Sequence, residues 1–276
     1  MGKMGRDILD LVSELKAGGE AFVLATVVRT VSVTAAKAGA KAVIRADGTI
    51  SEGWIGGGCA RGAVLKAARE ALADGQPRLI SVLPEDVLAA QGVAAGQVRD
   101  GVGFARNMCP SQGSMDVFVE PVIPRPELVV LGTSPVGLAL AESAARFGFD
   151  VAGCAPVAEL AAFPDGVRRI EGYSLTHDPA ATRFLVVATQ GRGDEAALRA
   201  ALVVGSGYLA FVGSRAKMAA LRAKLQAEGA DPQRLAMVRA PAGLDLGAIT
   251  PEEIALSILA EMVQHRRAGQ RKPALS

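Results

Sequence analysis

The first 120 residues alternate between a helical and a strand-like pattern of apolar positions. In the first predicted helix, Ile8, Leu11, Val12 and Leu15 share one face, and Gly18 and Gly19 end it. Asp47-Gly48 is a turn dipeptide, and it predicts a hairpin whose second strand begins near Ile50. The glycine-rich stretch 84–112 is predicted to be an irregular loop. The remaining predictions for this half are a helix at 60–73 and strands at 21–30, 42–45, 78–83 and 115–119.

The second half repeats short, fully apolar runs separated by helical patterns. Such runs are typical of parallel strands that are buried on both faces. The predicted strands are 128–131, 149–154, 184–188 and 208–212, and the predicted helices are 136–147, 196–203, 216–228 and one that starts at Thr250-Pro251 and ends at the basic residues Arg266 and Arg267. The predicted fold class is therefore α/β, with an N-terminal α/β domain and a C-terminal, Rossmann-like, doubly wound parallel sheet.

Three prolines in six residues separate the two patterns. Pro121, Pro124 and Pro126 disfavour both a helix and a central strand. We therefore predict domains at 1–120 and 128–276, joined by a proline-rich linker at 121–127.

Composition excludes several classes of protein. Half of the residues are apolar and only 4% are aromatic, so the cores must be aliphatic. A net charge of +2 is too small for a typical nucleic-acid-binding protein. No apolar stretch approaches the roughly 20 residues of a membrane span, and the N-terminus has no secretory pattern, so we expect a cytoplasmic protein.

The chain has three cysteines and two histidines, which limits its chemistry. Without a Cys-x-x-Cys pair, neither a disulfide framework nor a zinc site is indicated, and we expect free thiols. Catalysis by Ser-His-Asp or Cys-His groups is disfavoured but not excluded. Cys154 is expected to pack in a core, His177 to lie in a turn, and His265 to be a charge at a helix C-terminus.

The first candidate site is Gly56-Gly57-Gly58-Cys59. Three glycines leave the backbone bare before a predicted helix, whose N-terminus would favour the thiolate of Cys59. Cys109 follows the glycine-rich loop, so the two thiols could share one site. The alternatives are a tight turn for the glycines and a small buried residue for Cys59.

The second candidate site is the turn from Gly132 to Gly137. It keeps the first and third glycines of the dinucleotide fingerprint, but Ser134 occupies the middle position, and the next strand ends without an acid. A Rossmann-like scaffold without a dinucleotide and a site for another phosphate-bearing ligand remain equally open. Two further turns, Thr189–Arg192 and Gly213-Ser214-Arg215, are predicted to lie at the same carboxyl edge of the sheet. Each of these could instead be an ordinary turn, with Arg215 a solvated side chain.

An ordered set of motifs resembles the XdhC/CoxI family across nearly the whole chain. The motifs are Ser32-Val33, Gly39-Ala-Lys41, Asp47-Gly48, Gly56-Gly-Gly-Cys59, Cys109-Pro-Ser111, Asp116-Val-Phe-Val-Glu120-Pro, Gly213-Ser-Arg-Ala-Lys217 and the segment 243–261. The resemblance implies a maturation factor that binds the molybdenum cofactor, supports its sulfuration and delivers it to a molybdenum hydroxylase of the xanthine or carbon-monoxide dehydrogenase type. It implies partners as well: the apo-hydroxylase and a cysteine desulfurase. A homodimer is a general prior expectation, which no residue of the chain carries.

The resulting hypothesis is a cofactor-binding chaperone with no catalytic residues of its own. Its cofactor-binding residues would be Lys41, Gly56, Gly57, Gly58, Cys59, Cys109, Ser111, Gly132, Thr133, Ser134, Gly137, Thr189, Gln190, Gly213, Ser214 and Arg215. Cys59 and Cys109 would contact molybdenum, a soft metal that suits thiolate ligands. The alternative is a carrier of FAD or another nucleotide for the same class of enzyme, without molybdenum. An NAD(P)-dependent oxidoreductase is less favoured, because no acid–base constellation accompanies the broken fingerprint.

Overall fold

The protein is described by a computed structural model that covers residues 7–110, 112–176, 182–204 and 206–268, apart from the side chain of Cys59. The chain divides between Pro124 and Arg125 into two compact units.

The N-terminal unit is a seven-stranded mixed sheet with the strand order β3-β2-β1-β7-β4-β6-β5. Only β4 and β6 pair in parallel; the other neighbours are antiparallel. The strands are β1 (Phe22–Val31), β2 (Lys41–Arg45), β3 (Ile50–Gly53), β4 (Arg78–Leu83), β5 (Val98–Arg99), β6 (Val102–Arg106) and β7 (Ser114–Val122), and the helices are α1 (Ile8–Ala17), α2 (Gly58–Asp74) and α3 (Glu85–Ala90).

Alternation along the central strands places one face of this sheet under α2. Val23, Ala25 and Val27 of β1 are fully buried in the same cluster as Val117 and Val119 of β7. The shorter helix α1 begins at Asp7, whose carboxylate accepts a hydrogen bond from the Leu9 amide at 2.8 Å. The predicted helices and the predicted hairpin are confirmed, and Gly48 in the hairpin turn has φ 85°.

The prediction of an irregular loop at 84–112 is wrong. The segment contains α3, β5 and β6, and β6 is a full member of the sheet beside β4. Leu83, Leu88 and Val93 form a small buried cluster, and this packing holds the short elements in place. Elements of two to six residues are too short to establish an apolar period in the sequence, so the glycines dominated the pattern.

The proline-rich segment is shorter than predicted. Strand β7 continues through Pro121, which pairs with Val23 of β1, and only residues 123–126 lie between β7 and the next strand. Proline is tolerated here because pairing with β4 on the other side of β7 stops at Val119.

The C-terminal unit is a five-stranded, wholly parallel sheet with the order β10-β9-β8-β11-β12. Its strands are β8 (Glu127–Leu131), β9 (Asp150–Ala155), β10 (Arg168–Glu171), β11 (Arg183–Val187) and β12 (Tyr208–Phe211), and its helices are α4 (Pro135–Ala144), α5 (Asp194–Val203), α6 (Arg215–Ala227), α7 (Pro232–Ala236) and α8 (Pro251–Ala268), with short 3-10 turns at Ala145–Phe147 and Val157–Ala162. In chain order this is 3-2-1-4-5, which is the Rossmann order 3-2-1-4-5-6 without the sixth strand.

Successive residues of β8 face opposite layers of helices. Leu128 and Val130 belong to the cluster that includes α4 and α8, whereas Val129 and Leu131 belong to the cluster that includes α5 and α6. The predicted doubly wound α/β class is therefore confirmed. The sequence did not reveal β10 or α7, which span only four and five residues.

The last helix begins as predicted. The Thr250 hydroxyl accepts a hydrogen bond from the Glu253 amide at 3.2 Å, and the Glu253 carboxylate accepts one from the Thr250 amide at 3.0 Å. This reciprocal pair is a capping box. No helix in the described ranges is long and apolar enough to cross a membrane.

Candidate functional site

A small pocket in the N-terminal unit brings together segments that are far apart in the sequence. Gly56 and Gly57 line it on one side, Cys109 and Asn107 on another, and the turn at 33–35 closes it. The cavity measures about 70 Å³. Two of the predicted glycines and one of the predicted thiols therefore meet at one place.

The glycine side of the pocket depends on backbone geometry. Gly56 has φ 112° and lies over the Met115 side chain, while Gly57 is the N-cap of α2. Gly57 places no side chain at the helix N-terminus, so no side chain caps the first amides of α2. Cys59 is the second residue of this helix, and its side chain lies outside the described structure.

The thiol side is held by an asparagine that the sequence pattern did not single out. Asn107 accepts a hydrogen bond from the Cys109 amide at 3.0 Å and donates one to the Gly113 carbonyl at 2.6 Å. A Cβ at Gly113 would lie 2.2 Å from the Val33 carbonyl oxygen, so the two loops touch here. Cys109 is a free, half-buried cysteine. The signal in the sequence was only an Asn two residues before a Cys, a common turn pattern.

Lys41 and Gly58 are described but do not line this pocket. Lys41 lies on β2, and its ammonium group is 3.4 Å from the Thr26 hydroxyl rather than at the pocket lining. Ser111 lies outside the described residues.

The C-terminal unit has its topological switch point between β8 and β11. The turn after β8 contains Gly132, with φ 105°, and it packs directly on the turn after β11. A Cβ at Gly132 would lie 2.6 Å from the Cα of Thr189. The predicted residues Gly132 and Thr189 are therefore neighbours at the crevice where open α/β sheets bind ligands.

Ser134 performs the role of a helix cap. Its buried hydroxyl accepts a hydrogen bond from the Gly137 amide at 3.2 Å. Gly137 is tightly packed, since a Cβ there would lie 3.0 Å from the Gly132 carbonyl oxygen. One of the amides that would otherwise face a phosphate is thus already satisfied.

An acid does reach this turn, although β9 ends in Ala155. The carboxylate of Glu159, in the following 3-10 turn, accepts a hydrogen bond from the Thr133 hydroxyl. Sequence spacing does not reveal this contact, because the acid is four residues beyond the strand end and only the bend of the chain returns it to the turn after β8.

A buried carboxylate organises the turn after β11. Asp194 accepts hydrogen bonds from the Thr189 hydroxyl and, at 2.9 Å, from the Gly191 amide, and it pairs with the Lys217 ammonium group. Burial alone would raise the pKa of Asp194, but the bonds from Lys217, Thr189 and Gly191 outweigh burial and lower it. The neighbouring Gln190 has φ 51°. Asp194 was not among the predicted site residues either, since no local motif marks it.

The third predicted turn faces a cavity of its own. Gly213, Ser214 and Arg215 line a cavity of about 560 Å³ together with the loop at 241–248. The Ser214 hydroxyl caps α6 by accepting a hydrogen bond from the Lys217 amide at 3.2 Å. Gly132 and Thr189 are not part of this lining, so the three predicted turns share an edge of the sheet but not one pocket.

The remaining cysteine and histidine predictions have separate outcomes. Cys154 is fully buried in the core of the parallel sheet, and burial raises the pKa of its thiol to about 12, so the packing role is confirmed. His265 lies in the last turn of α8 as expected, with its ring packed edge-on against Phe184 at 5.8 Å. His177 falls outside the described residues. Among the side chains that the structure describes, no three His, Cys, Asp or Glu residues form a metal-binding cluster.

The two units therefore define a class of protein: a Rossmann-type sheet preceded by a mixed sheet that carries a glycine and thiol pocket. Comparison with known families supports this division into two kinds of domain. Residues 128–262 match the XdhC Rossmann domain, and residues 15–82 match the XdhC and CoxI family. The chain belongs to the XdhC and CoxI family.

Similar proteins are known in bacteria. The chain is 32% identical over 237 residues to the uncharacterized protein YqeB of Escherichia coli, and 31% identical over 166 residues to a Bacillus subtilis protein named as a probable xanthine dehydrogenase subunit. These alignments cover 82% and 55% of the chain but only 40% and 46% of the relatives, so the chain spans less than half of their length. A Bacillus halodurans crystal structure named as a xanthine dehydrogenase aligns over 97% of both chains, with 20% identity and a TM-score of 0.45.

Proposed function

We propose that the protein is an accessory factor in the maturation of a molybdenum hydroxylase, and that the molybdenum cofactor is its cargo rather than a resident group. The observation that carries this proposal is the pocket in which Gly56, Gly57 and Cys109 meet. Family membership and a relative named as a probable xanthine dehydrogenase subunit support the same role.

The chemistry of the pocket suits the metal end of such a cargo. A molybdenum centre with sulfur ligands is soft, and a thiolate is the protein group that suits it. Cys109 supplies a half-buried thiol at the pocket wall, and the backbone places Cys59 in the first turn of the adjacent helix α2. Gly57 gives the N-terminus of α2 no side-chain cap, and helix N-terminal amides of this kind are suited to an anionic group.

The size of the pocket sets a limit on what enters it. Sites for whole small molecules usually measure roughly 300–1,000 Å³, whereas this cavity measures about 70 Å³. It has room for one end of the cargo only, and the remainder would extend outside. Partial enclosure is consistent with a carrier that must release what it holds.

Partners and later steps belong to the same proposed role. The client would be an apo-hydroxylase of the xanthine or carbon-monoxide dehydrogenase type, and a cysteine desulfurase would supply sulfur for sulfuration of the bound cofactor. We also propose a homodimer, as a general expectation that no described contact carries.

Thiol variants test the proposal. The wild-type chain and the Cys59→Ala, Cys109→Ala double variant are incubated anaerobically with molybdenum cofactor released from a purified hydroxylase. Retained molybdenum is then measured by mass spectrometry and retained pterin by fluorescence after oxidation. We expect the double variant to retain less than about a tenth of the wild-type amount, because each lost metal–thiolate contact weakens binding.

The matched control is Cys154→Ala, which removes the buried third cysteine. It should retain cofactor as the wild type does, provided that circular dichroism shows a folded protein. Equal retention by the wild type and the double variant would exclude the thiolate contact. Absence of retention by the wild type would exclude cofactor binding altogether.

A flavin or nucleotide carrier is the second candidate, and one observation favours it. The cavity beside Gly213, Ser214 and Arg215 measures about 560 Å³, the size of a nucleotide-binding site. If FAD is the cargo, the purified protein should be yellow, and Arg215→Gln should weaken FAD binding by about tenfold through loss of one charge-assisted hydrogen bond. FAD affinity that is unchanged by Arg215→Gln would place FAD elsewhere.

A further inference from the structure

A second ligand-sized cavity lies at the opposite edge of the parallel sheet from the three turns described above. It borders Tyr208 at the amino end of β12, Leu202 at the end of α5, Met237 just after α7 and His265 in α8. Its volume is about 460 Å³. None of its lining residues belongs to those turns, since a parallel sheet places them at its carboxyl edge.

Two arginines, Arg234 and Arg239, line this cavity, and the guanidinium group of each is held by partners within the protein. Arg234 donates hydrogen bonds to the Leu202 carbonyl at 2.6 Å and to the Val203 carbonyl at 3.3 Å. Arg239 pairs with Glu261 at 2.9 Å and lies 5.3 Å from the centre of the Tyr208 ring. Both heads are therefore positioned before any ligand arrives.

Glu261 anchors this arrangement from the core. It is 8% exposed, and its second carboxylate oxygen accepts hydrogen bonds from the Tyr208 hydroxyl at 2.7 Å and from the Gly243 amide at 2.9 Å. Because Glu261 lies behind the lining, it balances the charge of Arg239 but presents no oxygen to the cavity wall.

The charge of the cavity is therefore that of one guanidinium. Arg239 is neutralised by Glu261, whereas Arg234 has no carboxylate within ion-pair distance among the described residues. No acidic side chain of the described structure lines the cavity. A carboxylate would balance the single unpaired charge of Arg234, whereas a doubly charged phosphate would leave an excess negative charge in the cavity.

The rest of the wall is mainly apolar, and Ser206 and Gly207 complete it beside the amino end of β12. Leu202, Leu209 and Met237 line it, and the edge of the cavity is completed by the Tyr208 and His265 rings, whose centres are 5.6 Å apart. A ligand that is complementary to this cavity therefore needs an apolar part beside its charged group.

We propose that this cavity binds a small monocarboxylate with an aromatic or aliphatic body. The carboxylate would lie against Arg234 and Arg239, and the body would pack against Leu202, Met237 and the Tyr208 ring. The site shares no lining residue with the pocket beside Cys109 or with the cavity beside Arg215.

The two histidines of the chain make the test specific. Sodium benzoate is titrated into the full chain at constant ionic strength, and the two imidazole signals are followed by nuclear magnetic resonance, with His177→Gln used to assign them. We expect the His265 signal alone to shift and to saturate. Inorganic phosphate, the second probe, should bind at least about tenfold more weakly than benzoate, because it lacks an apolar body.

Variants in the wall separate this site from general anion binding. Met237 is 66% exposed, so Met237→Glu should leave the fold intact while adding a repelling charge, and Met237→Gln is its neutral match. Met237→Glu and Arg234→Gln should each weaken benzoate binding by about tenfold, whereas Met237→Gln should not. Arg69→Gln, an equal charge change on an exposed position of α2, should leave binding unchanged.

Three results would overturn the proposal. The first is a His265 signal that does not shift or does not saturate. The second is equal benzoate affinity in Met237→Glu and Met237→Gln. The third is phosphate binding as tight as benzoate binding, which would indicate an anion patch without an apolar subsite.

Discussion

At the scale of single residues, both the backbone angle and the surroundings of position 132 require a glycine. Its φ of 105° is strained for any other residue, and a Cβ would lie 2.6 Å from the Thr189 Cα. Gly132→Ala should therefore lower the free energy of unfolding by roughly 2–4 kcal/mol. Urea denaturation measures this loss.

Gly207→Ala is the matched control for that experiment. Gly207 lies in the same unit, is exposed and has no atom within 4 Å of an added Cβ. Its replacement should change the free energy of unfolding by less than about 1 kcal/mol. Equal losses in the two variants would mean that the close approach of the turns after β8 and β11 is not a constraint.

Cys109 and Cys154 should differ in their reactivity toward alkylating agents, because they differ in burial. Burial raises the pKa of Cys154 to about 12, so its thiol remains neutral at pH 8, and only a thiolate attacks an alkylating agent. In the native protein at pH 8, iodoacetamide should modify Cys109, which is half-buried, and leave Cys154 unmodified. Peptide mass spectrometry with and without urea distinguishes the two sites, and rapid native labelling of Cys154 would contradict its burial.

At the scale of elements, Asp194 joins the turn after β11 to two helices. It is the first residue of α5, and its partner Lys217 belongs to α6. Asp194→Asn should lower the free energy of unfolding at pH 7 by roughly 1–3 kcal/mol, less than for a fully buried pair because Lys217 is 38% exposed.

The loss of unfolding free energy in Asp194→Asn should become smaller as the pH falls. The folded pKa of Asp194 lies below its unfolded value, so the charged form stabilises the fold above about pH 4, and this contribution is lost as the pH falls through the folded pKa. The difference in stability between the wild type and Asp194→Asn should therefore narrow below pH 4. Asp150→Asn, an exposed change of the same kind in the same unit, is the matched control for this comparison.

Element length decided which parts of the fold the sequence could predict. Long periodic segments such as α2 and α8, and continuous apolar runs such as β8 and β11, were predicted with small errors at their ends. The four residues of β10 were not, because neither a period nor a propensity can be established over so few positions.

At the scale of the whole molecule, each unit has a core of its own. The first is built around β1, β7 and α2, and the second around β8, β11 and the helices on both faces of that sheet. Fragments 1–124 and 125–276, expressed separately, should each unfold with a cooperative thermal transition followed by circular dichroism. A fragment without such a transition would show that its core depends on the other half of the chain.

The sequence by itself determined the α/β class, the change of pattern near the prolines, the helix cap at Thr250 and the residues that could carry chemistry. These depend on local period and local hydrogen bonding, which neighbours in the chain specify. Only the tertiary structure decided that Cys109 meets Gly56 and Gly57, that Glu159 returns to Thr133 and that Asp194 pairs with Lys217. Those contacts join loops, turns and helices that are distant in the sequence, and the order and pairing of the strands, not spacing along the chain, bring them together.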